Sequence, residues 1–229
     1  MDWLLLGTVL TACYALWLPF LNTPLYPDQA VFNYQAARWR RGFVPYRDVQ
    51  TNLGIGLLSI VAAIQWLARK SMYGYVALVA AYSTASVFFV YLIGLQLHSP
   101  AVAVAAALFY GFYAIAPHIE GFTANQETFM NLPMTAGVYV LLVAFNSETP
   151  ELAGIAGALF TLTILVKPVA GFAVLLLHGW TFGVLGPAGI GWMIVGDVCL
   201  LAMPLSYLLA VGGWIGVKRN FLFHNIFGL

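Results

Sequence analysis

The sequence predicts an all-α fold: a polytopic transmembrane helix bundle with about seven to eight membrane segments and an amphipathic surface helix after the first. Three observations predict it. Of the 229 residues 62% are hydrophobic and 7% are charged, against roughly a quarter charged in an ordinary soluble domain. Mean hydropathy is +0.89. The apolar residues also fall into runs close to the length of about 20 that a crossing helix needs. Nine Lys/Arg and eight Asp/Glu cannot cover a water-soluble core of this size. A formal net charge of +1 gives no electrostatic footprint for phosphate backbones, so nucleic acid is not an expected partner. The apolar excess excludes disorder. Cys13 and Cys199 both lie inside apolar runs and read as small buried hydrophobes.

The first run, 3–21, contains Leu10-Thr11-Ala12-Cys13, which has the form of a lipoprotein cleavage site. Its flanks do not fit: Met1-Asp2-Trp3 carries no basic residue, and the apolar run continues to Phe20. It reads as an uncleaved transmembrane helix. Further apolar segments follow at 53–68, 73–97, 101–117, 128–145, 153–166, 169–186 and 190–211. Tight connections separate several of them: Arg69-Lys70, His98-Ser99-Pro100, Lys167-Pro168 and Gly186-Pro187. The chain reads as one domain, 1–229, bound to a membrane bilayer in several passes.

Two stretches break the pattern, 22–52 and 118–127. The first holds four of the nine basic residues. Pro27-Asp28 suits a first helical turn, and Gly42 suits a stop just past Arg38, Arg40 and Arg41, whose charges complement the end of the helix dipole. Phe32, Gln35 and Trp39 stack above Asp28, while Tyr34, Ala37 and Arg41 form another stripe. Such a helix lies along a membrane surface, aromatics down and arginines up.

The run RWRRGFVPYRDV, followed by NLGIGLLSIVAAI, resembles the first external loop of the C-type integral-membrane glycosyltransferases, such as the protein O-mannosyltransferases and the lipid A aminoarabinose transferases. The likeness continues at Asn125-Gln126-Glu127-Thr128-Phe129 and at Leu165-Val166-Lys167-Pro168. The resemblance implies an inverting transfer of a sugar from a polyprenyl-phosphate donor to a protein, lipid or glycan hydroxyl, at the external face of a cell membrane, in all expectation a bacterial plasma membrane. It makes 22–52 the first external loop. Members are commonly twice as long, so the chain reads as an N-terminal portion or a minimal form. They often pair two adjacent acids where this chain has Asp28-Gln29, so no cofactor is expected and a divalent metal is not indicated.

Transfer to a hydroxyl requires a base for the acceptor proton and cations for the departing phosphate. The resemblance makes Asp28 the catalytic base; the alternative is an acid that satisfies the first turn of its helix. Asp48 orients a substrate or forms a surface ion pair with Arg47 or Arg41. Arg38, Arg41 and Arg47 grip the carrier phosphate or meet anionic headgroups. Glu127 and Asn125 position sugar or acceptor, or belong to a capping box in which Thr123 and Gln126 hold the helix start. Lys167, alone between two apolar runs, binds the lipid phosphate or snorkels from a helix end. Asp197 lies within the last segment with its role open. His118 and Glu120 have no partner spacing, and Lys218, Arg219, His224 and Asn225 form a terminal polar patch.

Topology sets a condition. With Asp28 outside, one crossing places Arg69-Lys70 inside, as the positive-inside rule prefers. Two further full crossings would then put Glu127 on the wrong side. The transferase reading therefore requires one segment between Asn52 and His118 to fail to cross, or to be re-entrant. The four arginines of the first loop oppose an external location by charge count; the resemblance decides for it. A transporter or lipid-linked-sugar flippase, using Lys167 and Asp197, is the alternative, and a non-catalytic assembly subunit is a third.

Overall fold

A computed structural model describes residues 3–69, 71–117 and 120–222. Lys70, His118, His224 and Asn225 lie outside the described residues. The helices are α1 (Trp3–Ala15), α2 (Pro27–Arg40), α3 (Ile55–Ala68), α4 (Met72–Leu97), α5 (Pro100–Ala114), α6 (Gln126–Ser147), α7 (Leu152–Val166), α8 (Gly171–Ala210) and the short α9 (Trp214–Gly216). Every apolar segment read from the sequence is helical. Among the described residues, four helical stretches are long and apolar enough to cross a membrane: Trp3–Phe20, Met72–Leu97, Gln126–Ser147 and Pro168–Ala210. The expected seven to eight spans thus reduce to four by length. The two last segments form one helical stretch, and α3, α5 and α7 are only 14–15 residues long.

Contacts fix the direction of each helix. α4 and α6 run parallel: Tyr82 Oη donates to the Phe129 carbonyl (2.9 Å), and at their other ends Asn146 Nδ2 donates to Gln96 Oε1 (2.7 Å). α5 returns beside α4, with Gly94 against Ala103 and Gly111 against Cys13 of α1. α7 returns beside α6 and ends where Lys167 meets Glu127. α8 is not one rod. At Gly186 (φ 63°, ψ −158°) its backbone leaves helical geometry, in the positive-φ region that glycine tolerates. His178 and Asp197 then lie side by side at 2.7 Å, whereas 19 residues of straight helix would separate them by about 28 Å. Thus 171–185 leads away from the α2 end, with Trp180 against Phe145 of α6 (5.0 Å). The arm 187–210 comes back along α7, so close that a Cβ at Gly196 would collide with the Gly154 carbonyl.

α3 answers the topological condition. Its start is jammed against the end of α7, since Gly54 and Gly56 abut the Leu165 backbone. Its last turn is tied to α2 by Gln65 Nε2, which donates to the Asn33 carbonyl at 2.8 Å. The chain then turns through Arg69 (φ 49°) into the Ser71 cap of α4. The segment enters and leaves at the same end of the bundle. It buries Leu57, Leu58, Val61 and Ile64 with Phe32 and Ala36 of α2, Val79 of α4 and Phe129 of α6.

α2 therefore lies across the bundle end. Near its start Tyr26 packs edge-on to Phe122 (5.5 Å). At its far end Trp39 Nε1 donates to Tyr207 Oη of α8 (2.8 Å). Phe32 is buried while Arg40 and Arg41 are exposed, as an amphipathic surface helix requires. One expectation is corrected: because both ends of α3 lie at the α2 end of the bundle, Arg69 stands at the same end as Asp28. All eight described lysines and arginines cluster at this end, and the opposite end holds Glu148 and Glu151.

Candidate functional site at the α2 end

Asp28 stands in the first turn of α2, behind Pro27. It is exposed and makes no side-chain hydrogen bond or ion pair among the described residues. The residues on either side of it face the loop that leads into α6. Tyr26 and Gln29 wall a small cavity together with Phe122, Thr123 and Ala124. The next residue, Asn125, caps α6: its Oδ1 accepts from the Thr128 backbone (3.0 Å) and hydroxyl (2.9 Å). The expected Thr123–Gln126 capping box is thus displaced by two residues, and Thr123 instead donates to the Glu120 carbonyl (2.6 Å). Glu127, in the first turn of α6, forms an ion pair with Lys167.

Lys167 sits in the extended break between α7 and the 3-10 turn Pro168–Ala170. Its side chain is 28% exposed and that of Glu127 48%. A pair this open contributes about 0–1 kcal/mol to stability, so it is not what holds the bundle end together. It leaves an ammonium at the rim of the bundle, where an anion can reach it.

The arginines are elsewhere. Twelve residues of helix, about 18 Å, separate Asp28 from Arg40. Arg38 lies over the Phe43 ring (3.8 Å) and donates to Tyr34 Oη (3.0 Å). Arg47 is committed to Asp48 through two 2.8 Å bonds, and its Nη1 donates to the Val211 carbonyl (2.8 Å). Asp48 Oδ2 also accepts from Val44 N (2.8 Å). The Arg47 guanidinium and this amide hold the Asp48 carboxyl down to about 2, and the same pair raises Arg47 above its ordinary value. The ion-pair role weighed for Asp48 is the one the geometry displays: it pins the loop to the end of α8.

Base and leaving phosphate must sit within a few ångströms of one anomeric carbon. Arg38, Arg41 and Arg47 are therefore too far along the bundle end to serve a reaction centred on Asp28. Of the candidates, Asn125 follows directly on the loop that meets Tyr26 and Gln29 at the start of α2, while Glu127 and Lys167 pair at the end of α7, whose Leu165 packs with Trp39 and Tyr207 toward the far end of α2.

Asp197, whose role the sequence leaves open, belongs to a second polar cluster whose other members, His178 and Thr161, the sequence reading does not single out. His178 Nδ1 faces the Val174 carbonyl (2.8 Å), its Nε2 faces Asp197 Oδ2 (2.7 Å), and Thr161 Oγ1 donates to Asp197 Oδ1 (2.7 Å). With Nδ1–H given to the carbonyl, one further proton must lie between Nε2 and Oδ2. The signal was present as a polar residue in each of three apolar runs. No group of three or more His, Cys, Asp or Glu that could hold a metal exists among the described residues.

Comparison with protein-family models, curated proteins and solved structures finds no match to this chain.

Proposed function

We propose that the chain is the membrane part of an inverting glycosyltransferase that moves a sugar from a polyprenyl-phosphate donor to a hydroxyl acceptor at the α2 face. One observation supports this most: both ends of α3 lie at the α2 end of the bundle, so Asp28 and the Glu127–Lys167 pair share one end, the condition the resemblance imposes. On this reading α1, α4, α5, α6, α7 and the two arms of α8 make seven passes. The Asp28 carboxylate takes the acceptor proton as the hydroxyl oxygen bonds to the anomeric carbon. The carbon–oxygen bond to phosphate breaks with inversion, and Lys167, steadied by Glu127, meets the charge on the released polyprenyl phosphate. One carboxylate suffices because phosphate is already a good leaving group, unlike the alcohol that a glycosidase must protonate.

The assay is release of polyprenyl phosphate by the full chain reconstituted with a polyprenyl-phosphate sugar and membrane acceptors. Lys167→Gln should cut release at least tenfold with the fold retained. Wild-type turnover unchanged by this substitution would remove Lys167 from the site.

The transporter alternative is favoured by one feature, the His178–Asp197 pair at mid-bundle, since ionisable groups at that depth mark transport pathways. Counterflow of a lipid-linked sugar without its transfer would establish it.

A further inference from the structure

We propose that the cleft between the C-terminal half of α2 and the α3–α4 turn docks the phosphate-bearing headgroup of an anionic membrane lipid. The inference rests on membrane residence alone and is independent of sugar transfer. The cleft encloses about 550 Å³ and is lined by Asn33, Arg40, Arg41, Gln65, Met72 and Leu25 among others. That volume falls within the range of roughly 300–1,000 Å³ typical of small-molecule sites.

Its charge is one-sided. Arg40 and Arg41 are exposed at its edge, and their side chains make no hydrogen bond or ion pair among the described residues. By contrast, Arg38 and Arg47 are engaged with Tyr34 and Asp48. Among the described residues no Asp or Glu lines the cleft. Arg69, next to the lining residue Ala68, adds a third cation nearby. Two guanidinium forks side by side match phosphate oxygens, and their planar donors need no rearrangement to do so.

Leu25, Ala37, Ala68, Met72 and the buried ring of Tyr75 give the cleft an apolar wall beside its polar Asn33, Gln65 and Ser71, a mixture that suits an amphiphile and not a free anion. Gln65 donates its amide hydrogens to Asn33, at 2.8 Å to both the carbonyl and Oδ1. Its own Oε1 is buried with no hydrogen-bond partner. That acceptor suits a headgroup hydroxyl, so a phosphoglycerol headgroup is the preferred probe. α2 lies across the end of the bundle, at the depth where headgroups sit.

The test uses the full chain in mild detergent, with retained lipid counted by native mass spectrometry at equal phosphatidylglycerol and phosphatidylcholine. Wild-type should retain phosphatidylglycerol selectively. Arg40→Gln/Arg41→Gln should lose that selectivity about 30-fold, the loss expected for two basic contacts to an anionic surface, while Arg40→Lys/Arg41→Lys keeps most of it. Ala37→Trp, which fills the cleft without touching a charge, should also abolish retention, whereas Lys218→Gln should not. Retention by Ala37→Trp at wild-type level would mean diffuse surface attraction and overturn the cleft. Displacement of the lipid by millimolar inorganic phosphate would overturn the lipid as the ligand.

Discussion

Asp28 and Asp48 are the same residue type in the same loop and have opposite situations. Asp48 is bound on both oxygens, and its partners were readable from sequence only as the alternative to a substrate role, because adjacency to Arg47 does not say which way either side chain turns. The folded value of about 2 lies below the unfolded value near 3.9, so the folded state holds fewer protons in this interval. The stabilisation from Asp48 is complete above about pH 4 and is lost as pH falls through about 2. Thermal melting of wild-type should accordingly decline more steeply than that of Asp48→Asn between these values. Parallel curves would show that the loop pair does not contribute. Asn125 illustrates the complementary case. A polar cluster before an apolar run marked a helix start, but which of Thr123 and Asn125 takes the cap depended on the loop packing at Glu120.

At the scale of elements, hydropathy placed α1 and α3 to α8 but could not give their direction. The segment 53–68 has the composition of a crossing helix. Only its contacts, Leu165 at one end and Asn33 at the other, show that it lies flat under α2. Likewise Gly186-Pro187 marked a break, but the return of the second arm is decided by long-range polar pairing. The triad of Thr161, His178 and Asp197 ties α7 to both arms of α8. Its side chains are only partly open, 19% for His178 and 24% for Asp197. Replacing His178 with Ala strands a carboxylate and should cost about 2 kcal/mol or more. Thr161→Val should cost about 1 kcal/mol, the worth of one hydrogen bond. Equal melting temperatures for His178→Ala and wild-type in the same detergent would show that the two arms are held by packing alone.

For the whole molecule, the helical bundle and the surface helix followed from residues visible in the sequence, whereas counting each apolar segment as a crossing put Glu127 opposite Asp28, and the contacts of α3 are what bring both to one end. The division of that end was not visible, because the length of α2 separates candidates that a linear reading had grouped. Charge distribution bears on sidedness. All described Lys and Arg lie at the α2 end, which the positive-inside rule marks as cytoplasmic, while the resemblance to lipid-linked-sugar transferases places it outside. Gln50→Cys, exposed in the loop after α2, should react with an impermeant maleimide in intact cells. Labelling only after permeabilisation would put the end in the cytosol and remove the external donor site.

The most direct test of the whole account concerns Asp28 itself. Conversion of radiolabelled polyprenyl-phosphate sugar should be measured in proteoliposomes containing the full chain as wild-type or Asp28→Asn, with equal thermal stability verified. Loss of a general base predicts a decrease of about 10²–10⁴-fold in turnover with donor binding preserved. Undiminished turnover by Asp28→Asn would contradict it.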